Sequence, residues 1–301
     1  MAIINNAHPG SQINLLCLIY RVLRRAKSSI TVDNITELCR PDNLLRKKDH
    51  VKRFSGELRF WASENHQLWS IDEENTLEIS HKTQSETPSP IEIGNIVRRV
   101  LFLRTIDDIM KKENKYDIES LLRTLACLLA SGRFLPLGKE LMDKQGLDTL
   151  LDELLLPQHS LNDSEKPTLL EYGHFLGLFE LQERGYIVDP TRAVFSYLPE
   201  IFCDEKNMKI KDFIGKLSDY VPIMDGGEYQ RQVIPIMIEK GWKQGQEENI
   251  SLVLSHALER LRMDKIVRLE AISDDSQAMQ LQLPRSQSRP VSRISFIGRQ
   301  E

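Results

Sequence analysis

The chain has 301 residues, 41% of them hydrophobic and 28% charged, with a net charge of −4 at pH 7. This composition is that of a globular protein, and the length predicts two or three domains. No apolar run approaches the ~20 residues that cross a bilayer, and no signal-peptide pattern opens the chain, so we predict a cytoplasmic protein without a membrane partner. Because the net charge is negative, any contact with DNA must come from a local basic patch.

The first predicted module covers residues 1–80. Apolar residues recur at helical spacing in three stretches, which predicts three helices. The third helix carries one apolar stripe, made of Val51, Phe54, Leu58 and Trp61. Two short alternating segments follow, joined by the polar turn 72–75, and they predict a hairpin with one buried face. Three helices followed by a hairpin are typical of a winged helix.

The second predicted module covers residues 91–205. Residues 81–90 before it are polar and contain prolines, which predicts an exposed linker. The module has leucine-rich helical faces, then a helix and a short apolar hairpin. Asp189-Pro190 predicts the start of another helix, since the carboxylate can cap free backbone N–H groups and proline suits the first turn.

The third predicted module covers residues 206–283. Helical stretches flank an Asp-Gly-Gly sequence at 225–227, which predicts a tight loop. Residues 267–271 and 279–283 then alternate in polarity on either side of a polar turn, and we expect these two segments to pair as a hairpin.

The last stretch, residues 284–301, combines arginines with serines and two prolines. Its apolar content is too low for a core, so we predict a flexible basic tail. The predicted fold class is therefore mainly α with short β-hairpins, arranged as tandem winged-helix-like modules.

Sequence motifs of catalysis are missing. The chain has no phosphate-binding loop, serine nucleophile elbow or His-Glu-x-x-His pattern, and its four cysteines stand too far apart for a zinc site. Acidic residues and a lysine that a metal-dependent nuclease would need occur only along a predicted helix, where a solvated face explains them. That set is Asp107, Asp108, Glu113 and Lys115. We therefore predict no enzyme, cofactor, metal or small-molecule substrate.

The third helix of the first module has a basic face. Its members are Lys47, Lys48, Lys52, Arg53 and Arg59. In a winged helix this helix can enter the major groove of DNA, where cationic side chains reach phosphates and base edges. However, Glu57 and Glu64 dilute the face, and the acidic hairpin tip at 72–74 would repel phosphates. Since winged helices also bind proteins, both kinds of partner stay open.

A second basic patch lies in the third module and the tail. It consists of Arg260, Arg262, Lys265, Arg268, Arg285, Arg289 and Arg293. Arginines at this spacing could follow a phosphate backbone or enter an acidic groove of a protein partner. A solubilising role is the alternative.

Four further segments of the chain are the opening through the first predicted winged helix, YIVDPTRA at 186–193, VPIMDGG at 221–227 and RPVSRI at 289–294. Together they resemble the DpdG-like family. Proteins of this kind are encoded in bacterial gene clusters that place 7-deazaguanine derivatives in DNA and restrict unmodified DNA. The resemblance implies an accessory protein of a phage-defence system, with DNA and helicase or nuclease subunits as partners. It transfers no catalytic residue.

From these observations we expect a non-catalytic adaptor that contacts DNA and docks larger enzymes of a defence system. A stand-alone dimeric winged-helix transcriptional regulator is the alternative, and self-association would favour it because paired half-sites need two-fold symmetry. A third hypothesis is an enzyme with an unrecognised site, and a divalent-metal-dependent activity would favour it.

Overall fold

The computed structural model describes residues 3–26, 28–40, 48–64, 66–103, 118–136, 141–273 and 275–298. Within these ranges the chain forms eleven α-helices and eleven short strands. It divides into two compact units, Met1–Glu119 and Ser120–Glu301. The prediction of a mainly helical fold with short strands is confirmed. No described helix combines the length and apolar character that a membrane span requires.

The first unit contains four described helices and one small sheet. The helices are α1 (Ile13–Arg25), α2 (Val32–Cys39), α3 (Lys48–Ala62) and α4 (Pro90–Phe102). The strands are β1 (Ile30–Thr31), β2 (Trp69–Ile71) and β3 (Thr76–Ile79). They form an antiparallel sheet in the order β1-β3-β2, in which Trp69 lies opposite Ile79. The first predicted hairpin is therefore confirmed.

The core of the first unit forms where α1, α3 and the hairpin pack together. Phe54, Leu58 and Trp61 are buried, which confirms the predicted stripe for these three residues. Trp69 has no exposed surface, and its indole N–H donates to the backbone oxygen of Leu58 at 2.9 Å. The two buried indoles contribute most to this small core, because aromatic side chains bury the largest areas.

Residues 81–90 are polar and mostly exposed, but they are held against α1. Arg21 Nε donates to the backbone oxygen of Pro88 at 2.8 Å, and the Arg24 guanidinium donates to that of Thr83 at 3.1 and 3.2 Å. A capping box then starts α4. This segment lies within the first unit, which continues to Glu119.

The second unit contains seven described helices and three small sheets. The helices are α5 (Glu119–Ser131), which begins at the boundary, α6 (Lys144–Leu154), α7 (Glu165–Phe175), α8 (Thr191–Ile201), α9 (Ile210–Tyr220), α10 (Glu228–Glu239) and α11 (Leu252–Met263). The strands are β4 (Phe179–Gln182), β5 (Gly185–Val188), β6 (Asn207–Lys209), β7 (Asn249–Ile250), β8 (Val267–Glu270), β9 (Met279–Leu283), β10 (Gln287–Val291) and β11 (Arg293–Phe296). The predicted β4-β5 hairpin is confirmed.

The third predicted hairpin is wrong, although both of its strands exist. β8 pairs with β11, not with β9, in an antiparallel sheet of order β6-β11-β8. β9 pairs antiparallel with β10 and parallel with β7. Alternating polarity identifies a strand, but it does not identify the partner strand.

The prediction of a flexible tail at 284–301 is also wrong, because residues 287–296 form two strands. Val291 and Ile294 are 1% and 0% exposed, so the segment contributes to the core. Pro290 lies in β10, the edge strand of its sheet, where a missing N–H is tolerated. A segment with so few apolar residues can form strands here because β6, β8 and β9 supply the partner strands.

Candidate nucleic-acid interface

The exposed face of α3 carries three described basic side chains. Lys52, Arg53 and Arg59 are all exposed, while Phe54 and Leu58 point into the core. Lys52 and Arg59 are seven residues apart and therefore lie on the same side of the helix, two turns apart. Within the described part of the chain, none of the three forms an ion pair.

The Glu57 carboxylate does not dilute this face, contrary to the sequence-based expectation. It has no exposed surface. Trp61 Nε1 donates to its Oε1 at 3.0 Å, and the backbone N–H of Gly10 donates to its Oε2 at 2.7 Å. Burial raises the pKa of Glu57 to about 7, and the two hydrogen bonds act in the opposite direction. The negative charge is therefore removed from the surface. Glu64 is exposed, but it lies beyond the end of α3.

Residues 3–12 cover the side of α3 that holds Glu57. Ile3 and Ile4 are fully buried, and the ring of His8 meets Phe60 edge-on, with the ring centres 5.6 Å apart. Gly10 has a φ of +91°, and a side chain there would collide with Phe60. A cavity of about 220 Å³ remains between this segment and the base of Lys52, Arg53 and Glu57.

The tip of the β2-β3 hairpin is acidic and well ordered by its own hydrogen bonds. Asp72 Oδ1 accepts from the backbone N–H groups of Glu74 at 3.0 Å and Thr76 at 2.7 Å. Asn75 adopts a φ of +56°, which suits asparagine in a tight turn. Asp72, Glu73 and Glu74 are exposed, as the sequence predicts, and would repel a phosphate backbone.

Several of the predicted basic residues of the second unit are engaged in contacts within the chain. Arg260 pairs with Glu180 at 2.6 Å and with Asp189, and Arg262 pairs with Glu259 at 2.9 Å. The other engaged residues are Arg289, which pairs with Glu259, and Arg293, which donates to Asn207 Oδ1. Because these arginines contact side chains of the same chain, they are less available to a ligand than the sequence suggests.

Two other members of the second basic patch have exposed side chains. Lys265 and Arg268 are exposed, and Arg268 lies 3.9 Å from Glu270. The side chains of Lys48 and Arg285 lie outside the described part of the chain, as do Lys47 and the acidic set 107–115. The structure thus brings together Lys52, Arg53 and Arg59 on one helix.

Sequence reasoning missed the buried Asp189 cluster. The Asp189 side chain is 2% exposed, and its Oδ1 accepts from the backbone N–H of Thr191, the first residue of α8, at 3.0 Å. The predicted helix start is confirmed, but the cap residue is Pro190 and not Asp189, so the proline precedes the first turn. Its second oxygen pairs with Arg260, 71 residues away in the chain. No local pattern signals so distant a partner. Among the described residues, no group of three His, Cys, Asp or Glu side chains could hold a metal ion.

The fold and this surface define a helix-rich protein with small sheets and one exposed basic helix face in its first unit. The chain belongs to the DpdG-like family, whose model matches residues 1–275. This confirms the resemblance to the family, and three of the four sequence segments lie within the match, whereas RPVSRI at 289–294 lies beyond it. Comparison with curated proteins and with solved structures finds no match.

Proposed function

We propose that the protein is a non-catalytic adaptor of a Dpd-type phage-defence system, and that its first unit contacts duplex DNA through α3. Membership of the DpdG-like family supports the association with such a system. The observation that carries the DNA contact is the face formed by Lys52, Arg53 and Arg59. It is exposed and free of described ion pairs, and the one acidic residue within that stretch of α3, Glu57, is buried.

The topology of the first unit supports a winged-helix interpretation. The order α1-β1-α2-α3-β2-β3 and the sheet order β1-β3-β2 place α3 immediately before the hairpin. In DNA-binding helix-turn-helix modules the helix in this position lies in the major groove. Because the hairpin tip is acidic, we assign the contact to α3 and not to the hairpin.

The second unit supports a tandem arrangement. Its sheet order β6-β11-β8 again runs first strand, third strand, second strand, if α10 and the strands β7, β9 and β10 are treated as insertions. β6 leads directly into α9 as β1 leads into α2, and β8 follows α11 as β2 follows α3. In this comparison α11 corresponds to α3, but its Arg260 and Arg262 are paired with acidic residues. We therefore infer that the first unit makes the main DNA contact.

Fluorescence anisotropy of a labelled duplex, measured over a salt series, tests the DNA contact. The variant Lys52→Gln/Arg53→Gln/Arg59→Gln should weaken binding and reduce the slope of log K against log salt by about 0.9 for each phosphate that is no longer neutralised. The matched control is Lys206→Gln/Lys211→Gln/Lys216→Gln, which removes the same charge from exposed lysines of the second unit. Equal weakening by both variants, or no binding at low salt, would reject the contact through α3.

The adaptor role requires a stable complex with other proteins of the same system. Mass measurement in solution, with and without those proteins, tests this role. A mixed complex that includes this chain supports the adaptor. A symmetric dimer that binds DNA and ignores those proteins would instead favour a regulator, since paired half-sites need two-fold symmetry.

A further inference from the structure

The second unit holds a cavity of about 520 Å³ that the DNA contact of α3 does not use. It lies between α9, α10, the start of α11 and strand β9, and the exposed loop 242–247 forms part of its wall. Asp225 and Gly226 of the VPIMDGG segment line it as well. Its volume is within the range of small-molecule sites in proteins, which is about 300–1,000 Å³.

One aromatic ring and five amide side chains give this cavity its character. The ring is that of Trp242, which is half-buried, whereas Trp61 and Trp69 have no exposed surface. The amides are those of Gln230, Gln244, Gln246, Asn249 and Gln282. Gln230 is 6% exposed, Asn249 and Gln282 are half-buried, and the other two are exposed. Each amide offers both a donor and an acceptor, so these groups are suited to a ligand with a hydrogen-bonding edge.

The charges around the cavity disfavour an anionic ligand. Lys243 is the one basic side chain in the described lining, and it is opposed by Asp225 and Glu247. Asp225 is committed to the fold, since its Oδ2 accepts from the backbone N–H of Ser251 at 2.7 Å, at the start of α11. Ile214, Ile234 and Leu252 add apolar surface. The lining therefore fits a flat, largely uncharged ligand with a hydrogen-bonding edge.

We propose that this cavity binds a nucleobase, which stacks on Trp242 and pairs its edge with the amides of Gln230 and Gln282. Amide side chains offer a donor and an acceptor side by side, and this is the arrangement with which proteins read base edges. Indole rings stack on any base. The base could belong to a free nucleoside or to a single strand of DNA, and both present the same chemistry. This inference does not rest on the contact through α3.

Tryptophan fluorescence of the full chain gives a direct readout. Trp242 is half-buried and the other two tryptophans have no exposed surface, so quenching by added ligand reports on this cavity. Each of the four deoxynucleosides is titrated to about 10 mM, which detects even weak millimolar binding. We expect saturable quenching by at least one of them. Calorimetry with Trp242→Ala should show affinity reduced about five- to a hundredfold, the range for removal of one base-stacking ring.

The variant Gln230→Leu isolates the polar contact, because leucine keeps most of the side-chain volume. We expect a loss of affinity of about two- to tenfold, the equivalent of about one hydrogen bond. The control is Gln145→Leu, an exposed position on α6 that should bind as the wild type does. Circular dichroism checks that both variants are folded. Equal binding by the two variants would overturn the proposal, because the quenching would then be unspecific.

A second arm distinguishes the two sources of the base. Single-stranded oligonucleotides are titrated into the Lys52→Gln/Arg53→Gln/Arg59→Gln background, so that α3 cannot contribute. Quenching by nucleosides identifies a small-molecule ligand, and quenching by oligonucleotides alone identifies a base within a strand; either result supports the cavity. No saturable response to any nucleoside or oligonucleotide would overturn it, whatever the outcome for α3.

Discussion

At the scale of single residues, Glu57 is an acidic side chain that the sequence places on the surface and the fold buries. Because it lies between Arg53 and Arg59 in the sequence, the sequence analysis counts it as an acidic residue that dilutes the basic face of α3. In the structure, residues 3–12 cover it, and Gly10 and Trp61 donate hydrogen bonds to its carboxylate. The sequence could predict the apolar stripe of α3, because that depends on local spacing, but not a cover that comes from 47 residues away.

The raised pKa of Glu57 predicts a pH-dependent stability. Because the pKa increases from 4.5 to about 7 on folding, the folded state holds a proton that the unfolded state has released. The contribution of Glu57 to the free energy of unfolding is therefore largest below pH 4.5. It decreases as the pH rises from 4.5 to about 7 and does not change further above that. The total decrease is about 3 kcal/mol if the whole shift is expressed.

Urea unfolding at pH 5 and pH 8 measures this decrease, and Glu57→Gln should abolish it because glutamine does not titrate. The difference between wild type and variant is the relevant quantity. Burial lowers the pKa of His8, His174 and His256, which acts in the opposite direction in both proteins. An identical change in the two proteins between pH 5 and pH 8 would show that Glu57 is not the titrating group.

At the scale of elements, α3 and the β2-β3 hairpin carry opposite charges. Glu73 and Glu74 are exposed, while Asp72 holds the turn through hydrogen bonds to backbone N–H groups. If α3 lies against DNA, Glu73→Gln/Glu74→Gln should strengthen binding by about threefold to tenfold at low salt, since two charges that repel phosphate are removed. Anisotropy measures the change. The control Asp204→Asn/Glu205→Gln removes two exposed charges in the second unit. An equal gain in DNA affinity by this control would show that the effect comes from net charge and not from the position of the hairpin.

The strands of the last 35 residues show what local patterns cannot provide. β8 and β9 are identifiable from alternation, but each pairs with a strand from the segment predicted to be a tail. Pairing depends on contacts between residues far apart in the chain, and the RPVSRI segment has too few apolar residues to stand out. Its Val291 and Ile294 are nevertheless buried, in strands that pair with β9 and β8.

Ile294 is a direct test of that packing. It lies on β11, the central strand of its sheet, and has no exposed surface. Ile294→Ala should reduce the free energy of unfolding by about 2–5 kcal/mol, through reduced apolar burial and the cavity that remains. Ile297→Ala is the control, because Ile297 is 44% exposed and its truncation should cost little. Thermal or urea unfolding compares the two. If both variants lowered the free energy of unfolding by equally small amounts, the prediction would be wrong, because that is the behaviour of a flexible tail.

At the scale of the whole molecule, the two units differ in how their arginines and lysines are used. Composition predicted a globular chain, and helical spacing predicted its mainly helical fold and the basic face of α3. The distribution of charge between units was not predictable, because Arg260 and its partner Asp189 come from distant segments. The cavity beside Trp242 was also missed, since its lining comes from four helices, two strands and a loop that lie far apart in the chain.

Arg260 separates a structural role from a role in binding nucleic acid. Asp189 is 2% exposed, and removal of its arginine partner would leave a buried carboxylate without its ion pair. Since Arg260 itself is 39% exposed, we expect Arg260→Gln to reduce stability by about 2 kcal/mol, less than for a fully buried pair. DNA affinity should change by less than twofold if α3 makes the main contact. Arg268→Gln removes the same charge at an exposed position 3.9 Å from Glu270, and should affect neither quantity. A stable Arg260→Gln protein with weakened DNA binding would instead place the second unit on the nucleic acid.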